Sequence, residues 1–120
     1  MSNILVIEDE ASMAEFMMDM LESEGYEVDH APDGKEGMDL YHREDYDLVI
    51  TDMIMPEMQG KEVCEQLLQD KQPPEIIAMS AGFPELLESV SLMGVNYTFT
   101  KPFKVPEFLN SVSQALETQT

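Results

Sequence analysis

Glu8 and Asp9 directly follow the apolar run Ile4-Leu5-Val6-Ile7, and Asp52 follows Leu48-Val49-Ile50-Thr51. Ser80 stands in the same way after Ile76-Ile77-Ala78-Met79, and Lys101 comes straight after Tyr97-Thr98-Phe99-Thr100. If these runs lie side by side, three carboxylates, a hydroxyl and an ammonium share one edge. Two carboxylates about 4 Å apart repel by roughly 4 kcal/mol at an effective dielectric near 20, so Glu8, Asp9 and Asp52 need compensation when brought together. A hard divalent cation supplies it. Mg²⁺ takes octahedral oxygen ligands, commonly one or two carboxylates with several waters retained, which leaves a shallow site open for a phosphoryl group. Carboxylate, cation and Lys together neutralise phosphoryl oxygens during transfer, with Asp52 as the candidate nucleophile.

The apolar runs are too short for helices and lack polar alternation, as parallel strands buried on both faces do. Glu27 to Ala31 and Tyr97 to Thr100 complete a set of five predicted strands. Between them the apolar period becomes helical: Ala14, Met17, Met18 and Leu21, then Val63, Cys64, Leu67 and Leu68. A final stripe of Val105, Phe108, Leu109, Val112 and Leu116 opens with Pro106 at a first-turn position. Helices are also expected at about 34–44, with Met38 and Tyr41 inward, and at 84–93, with Leu86, Leu87 and Val90 inward. Gly25, Pro32-Asp33-Gly34, Pro73-Pro74 and Gly94 punctuate the boundaries. β-α repeated five times with right-handed crossovers gives an α/β fold, a doubly wound five-stranded parallel sheet with helices on both faces (flavodoxin-like). Ligands in such sheets bind beyond the carboxyl ends of the strands, where the polar residues collect.

Composition narrows the partners. Twenty-five Asp and Glu against six Lys and Arg give a net charge of −19, which disfavours nucleic acid and anionic membrane as ligands of this domain. Residues 1–34 carry ten carboxylates and no Lys or Arg. Most of these are read as a solvated face. The single cysteine, Cys64, cannot form an internal disulfide, and it lies on an inward stripe as a core filler. No run approaches the roughly 20 apolar residues of a membrane span, and no basic stretch precedes Ile4, so a cytoplasmic location is expected. Residues 1–120 are expected to form one domain. Glu10 is read as loop solvation, and His30 and His42 as surface residues without catalytic partners.

Glu8-Asp9 after an apolar strand, Asp52 in Ile50-Thr51-Asp52-Met53-Ile54-Met55-Pro56 with Gly60 beyond, Ser80-Ala81, and Lys101-Pro102-Phe103 together closely resemble the receiver domain of two-component response regulators, of the chemotaxis-regulator kind. The resemblance spans essentially the whole chain. It implies that Asp52 is the phosphoacceptor for the phosphohistidine of a sensor histidine kinase or phosphotransfer protein. It implies further that Asp9, Asp52 and the backbone carbonyl of Ile54 ligate Mg²⁺, with Glu8 holding a metal-bound water. Lys101 would pair with one phosphoryl oxygen and Ser80 with another after activation. Glu8 in place of Asp adds a methylene, acceptable in a group acting through water, and Lys101-Pro102 would be a cis peptide. On this reading the chain is not an enzyme but a switch for an output domain or partner, assisting its own phosphorylation and dephosphorylation.

Two departures from the family pattern bear on signalling. Thr98 stands where an aromatic switch residue is usual, and the Ser80 to Gly94 interval looks one residue short. Met13 and Met20, off the inward stripe and near Glu15, Asp19 and Glu22, raise a kinase-docking reading of the first helix. A charge-paired dimer through the fourth helix, fifth strand and fifth helix lacks its basic half, because no Lys or Arg occurs between Pro84 and Thr100, so a monomer or an apolar dimer is expected. Two other functions compete with the receiver. A Mg²⁺-dependent phosphohydrolase would want a second carboxylate where Ile54 stands, and a non-phosphorylated pseudo-receiver should have lost Asp52, Asp9 or Lys101.

Overall fold

The computed structural model describes residues 2–55 and 58–117; Pro56 of the motif after Asp52 lies outside the described residues. Its elements run β1 (Asn3–Ile7), α1 (Ala11–Glu22), β2 (Glu27–Ala31), α2 (Gly34–Arg43), β3 (Leu48–Asp52), α3 (Gly60–Leu68), β4 (Glu75–Ser80), α4 (Pro84–Met93), β5 (Tyr97–Thr100) and α5 (Val105–Glu117). All pairings are parallel, in the order β2-β1-β3-β4-β5.

Strand alternation divides the interior into two layers. Leu5, Ile7, Val49, Ile76 and Ala78 face α2, α3 and α4, where they meet Met38, Val63, Cys64, Leu67, Leu87 and Val90. Ile4, Val6, Leu48, Ile50, Ile77 and Met79 face α1 and α5, and pack on Met17, Leu21, Phe108, Val112 and Leu116. The three central strands are apolar on both faces because helices cover both. The outer strands are half-exposed, and Glu27 and Asp29 on β2 place charge where an unpaired edge would otherwise invite another strand.

One assignment changes. In α1 it is Met20, not Met18, that joins Ala14, Met17 and Leu21 in the interior. Met20 packs in the layer formed with α5, and Met13 lies half-buried against the same layer. Met20 is thus a core residue rather than an exposed docking contact.

The order β2-β1-β3 sends consecutive connections to opposite sides of β1, and the crevice between the ends of β1 and β3 is where such a sheet accepts a ligand. The segment after β3 returns sharply to that crevice. The Gly60 N–H donates to the Met53 carbonyl at 3.0 Å. A Cβ on Gly60 would lie 2.2 Å from the Asp52 carbonyl oxygen and 2.6 Å from the Met53 Cα. Both neighbours are backbone and cannot rotate away, so α3 begins against the end of β3 only if residue 60 has no side chain.

Cys64 is fully buried, and burial with the nearby Glu65 charge pushes its thiol up to about 12. Gly60→Ala should lower the urea unfolding midpoint, with a loss of about 1–3 kcal/mol typical of forced overpacking. Far-UV circular dichroism measures it, and an unchanged midpoint would show that the close approach is not a constraint.

Candidate functional site

The polar residues at the strand ends meet at the carboxyl edge of the sheet. Glu8, immediately after β1, is fully buried, and Asp52, the last residue of β3, is 8% exposed. Asp9 is exposed beside them. One carboxylate oxygen from each of Glu8, Asp9 and Asp52 lies within 4.8 Å of the others. Lys101, just past β5, sends Nζ to within 2.6 Å of Glu8 Oε1 and 3.2 Å of Asp52 Oδ2. The remaining oxygens have backbone partners: Asp52 Oδ1 accepts from Met53 N–H at 2.9 Å, and Glu8 Oε2 from Glu10 N–H at 3.2 Å.

Lys101 is held from both sides. Its N–H donates to the Ser80 carbonyl at 2.8 Å, tying the end of β5 to that of β4. The Lys101-Pro102 peptide is cis. Phe99 and Phe103, which flank the pair, both pack on Phe108 of α5, Phe99 tilted at a centroid distance of 5.4 Å and Phe103 stacked at 4.6 Å. The aromatic cluster fixes the chain before and after the lysine.

Three carboxylates face one ammonium. Burial pushes the Glu8 carboxyl up to about 7; the hydrogen bond from Lys101 opposes that rise and the Asp52 charge adds to it. Burial also disfavours the Lys101 ammonium, but its hydrogen bond to Glu8 and the charges of Asp52 and Glu8 outweigh this and hold its pKa above the ordinary lysine value. The donor set is all oxygen and mostly carboxylate, which suits a hard divalent ion better than a soft one.

Ser80 is 1% exposed at the end of β4, and its hydroxyl donates to the Gly82 carbonyl. It does not cap α4. The N-cap position of that helix is Phe83, in the left-handed region at φ 52°, with no side-chain capping bond. Ile54 lies in the bend two residues past Asp52, and its side chain is half-exposed.

Two residues set aside as surface groups have partners next to this site. His30 is half-buried at the end of β2, with Nε2 2.8 Å from the Glu8 carbonyl oxygen. A carbonyl only accepts, so Nε2 is the protonated nitrogen there. Glu10 caps α1 by accepting from Met13 N–H at 3.2 Å and from the Ser12 hydroxyl, and these bonds hold its carboxyl below the usual range. His42 is exposed, edge-on to Tyr41. A third, Gln59, carried no motif; it bonds twice to Met55 in the segment after Asp52. Two open cavities lie elsewhere, around Tyr26 and Tyr46 and around Tyr41 and Pro73. A shallow site at a sheet edge needs no deep cavity.

Comparison with known proteins agrees with this fold. The sequence model of the response regulator receiver domain matches residues 4–113. The response regulator ArlR of Staphylococcus epidermidis is 36% identical over 99% of this chain and 54% of its own length. The chain thus spans about half the length of the curated relatives it matches. Among solved structures, the response regulator TrrA of Thermotoga maritima in complex with Mg²⁺-BeF has a TM-score of 0.88 at 32% identity, over 97% of this chain and 100% of that one. The receiver domain of the Francisella response regulator 1452 has a TM-score of 0.92 at 26% identity, with both chains covered in full. The chain belongs to the family of response regulator receiver domains.

Proposed function

We propose that residues 1–120 act as one phosphoacceptor unit in which Asp52 takes a phosphoryl group from the phosphohistidine of a sensor histidine kinase or phosphotransfer protein. The Asp52 carboxylate attacks phosphorus, the phosphorus–nitrogen bond breaks with its electron pair returning to the histidine, and an aspartyl phosphate remains. The observation that carries this reading is the convergence of Lys101 Nζ and the acidic oxygens on Asp52, at a sheet edge open to a second protein. Asp9 and Asp52, the Ile54 carbonyl and, through water, Glu8 would hold Mg²⁺. The Mg²⁺-BeF complex of the relative TrrA supports that assignment. Bound Mg²⁺ supplies positive charge against the phosphoryl oxygens. Lys101 then pairs with a phosphoryl oxygen, relinquishing part of its contact with Asp52, and the same groups favour later attack by water.

The unit works in the cytoplasm and passes its state to an output domain or partner beyond these residues. Among the described residues, no helix is long and apolar enough to cross a membrane. Direct nucleic-acid contact by this unit is disfavoured by the net charge of −19. The absence of Lys and Arg from Pro84 to Thr100 leaves a monomer or a dimer held by apolar contacts.

The signal leaves through the loop after Ser80. Thr98 is exposed on β5, while Tyr97 and Phe99 pack toward α5 on the other face, so no aromatic ring of β5 can report from position 98. Phe83 stands at φ 52° directly before Pro84, next to Gly82 at φ 130°. A left-handed non-glycine residue costs about 1–2 kcal/mol. The Ser80 hydroxyl now bonds the Gly82 carbonyl, and turning it to a phosphoryl oxygen frees that carbonyl and lets Phe83 relax.

Acetyl phosphate with Mg²⁺ should add one phosphoryl group to the intact mass, and Asp52→Asn or chelation should abolish the gain. Equal phosphorylation of the Asn variant would overturn the acceptor assignment. Asp9→Asn should weaken Mg²⁺ binding at least about tenfold by calorimetry; an unchanged constant would remove Asp9 from the site. Backbone NMR of the Mg²⁺ form with beryllofluoride should show the largest changes within residues 80–88 and small ones at Thr98. The opposite pattern would sink the proposed route.

A further inference from the structure

Gln59 occupies the N-cap position of α3, where Ser, Thr, Asp or Asn normally satisfies a free backbone N–H. It makes no such bond. Its amide reaches back four residues: Nε2 donates to the Met55 carbonyl at 2.9 Å, and Oε1 accepts from the Met55 N–H at 3.3 Å. Met55 is 2% exposed, so both its backbone polar groups would lose their partner inside the protein without this side chain. Gly60, next in sequence, is pressed against the Asp52 carbonyl and bonded to that of Met53. The segment between β3 and α3 is thereby closed twice, at Met53 by Gly60 and at Met55 by Gln59. Ile54 is the single residue between the two closures.

We infer that Gln59 is a positioning residue for the cation site: its double bond to Met55 fixes the backbone on either side of Ile54 and so sets the carbonyl that would ligate Mg²⁺. The inference rests on the Mg²⁺ reading above and extends it to a side chain that touches no ligand. Chain length explains why Gln stands here. Asn lacks one methylene, caps the helix better, and cannot span to both the N–H and the carbonyl of Met55. The position gives up a helix cap in exchange for a double tie to Met55.

The two roles respond differently to two variants, which makes them separable. Gln59→Asn should lower the urea midpoint less than Gln59→Ala, because a gained cap on α3 offsets part of the two lost bonds, yet weaken Mg²⁺ binding by about threefold to tenfold in calorimetry. Gln59→Ala should weaken Mg²⁺ binding to a similar degree, and in the metal-free protein both variants should speed hydrogen exchange at the Met55 amide. Asp9→Asn, measured alongside, reports on the metal reading itself. Parental Mg²⁺ affinity in both Gln59 variants beside a clear loss in Asp9→Asn overturns the positioning role and leaves the metal site standing. Parental affinity in all three overturns both.

Discussion

A single lysine ammonium set against three carboxylates is the constraint around which the domain is arranged. Lys101 bonds Glu8 at 2.6 Å and Asp52 at 3.2 Å, so β5, β1 and β3 meet through one charged group. Desolvating ions is costly, and a buried pair contributes to stability only when its geometry and remaining hydrogen bonds are good. Here they are good for two oxygens and insufficient in charge. Glu8 shows the consequence: with no access to water and Asp52 beside it, its carboxyl rises to about 7 despite the lysine. The folded state holds its proton more tightly than the unfolded chain, so this group favours folding less and less as pH climbs from 4.5 toward 7. A cation held at the three oxygens, as proposed, would relieve that imbalance, so the site would draw affinity from repulsion already present in the fold.

Much of this arrangement is legible in the amino-acid sequence, for physical reasons. Strands buried on both faces read as uninterrupted aliphatic runs, and the rule that ligands lie beyond their carboxyl ends turned Glu8, Asp52, Ser80 and Lys101 into neighbours. What remained hidden depended on contacts between distant segments. Whether Met18 or Met20 completes the stripe of α1 is decided by the layer that α1 packs on, since both fit a helical period. His30 meets the Glu8 carbonyl because β1 and β2 pair with Val6 opposite His30, a register that local sequence does not carry. Glu10 as a cap and Gln59 as a tie were invisible because neither residue type is preferred for the position it holds.

The segment from Asp52 to Gly60 and the segment from Ser80 to Pro84 use backbone conformation in contrasting ways. The first is closed by Gly60, which admits no Cβ, and by the two bonds of Gln59 to a buried backbone. The second is closed on itself by the Ser80 hydroxyl, which bonds the Gly82 carbonyl, and contains an exposed phenylalanine in a conformation it disfavours. Backbone tied on both sides of Ile54 suits ligand atoms that must keep their place. A strained segment with a side-chain tie suits a conformational change, because losing that bond shifts its equilibrium.

These two segments leave from adjacent strands, β3 and β4, whose ends are paired Asp52 to Met79. The Met53 N–H joins them by donating to the Met79 carbonyl at 2.9 Å as well as to Asp52 Oδ1. Any shift of the Asp52 carboxylate is thus felt at the residue before Ser80 through one shared donor. Ser80 is in turn bonded through its carbonyl to Lys101 and through its hydroxyl to the strained loop. Asp52, Glu8, Lys101 and the loop are linked by hydrogen bonds at the sheet edge itself, so under the proposed function a change of charge on Asp52 would reach the loop without requiring the two apolar layers beneath to repack.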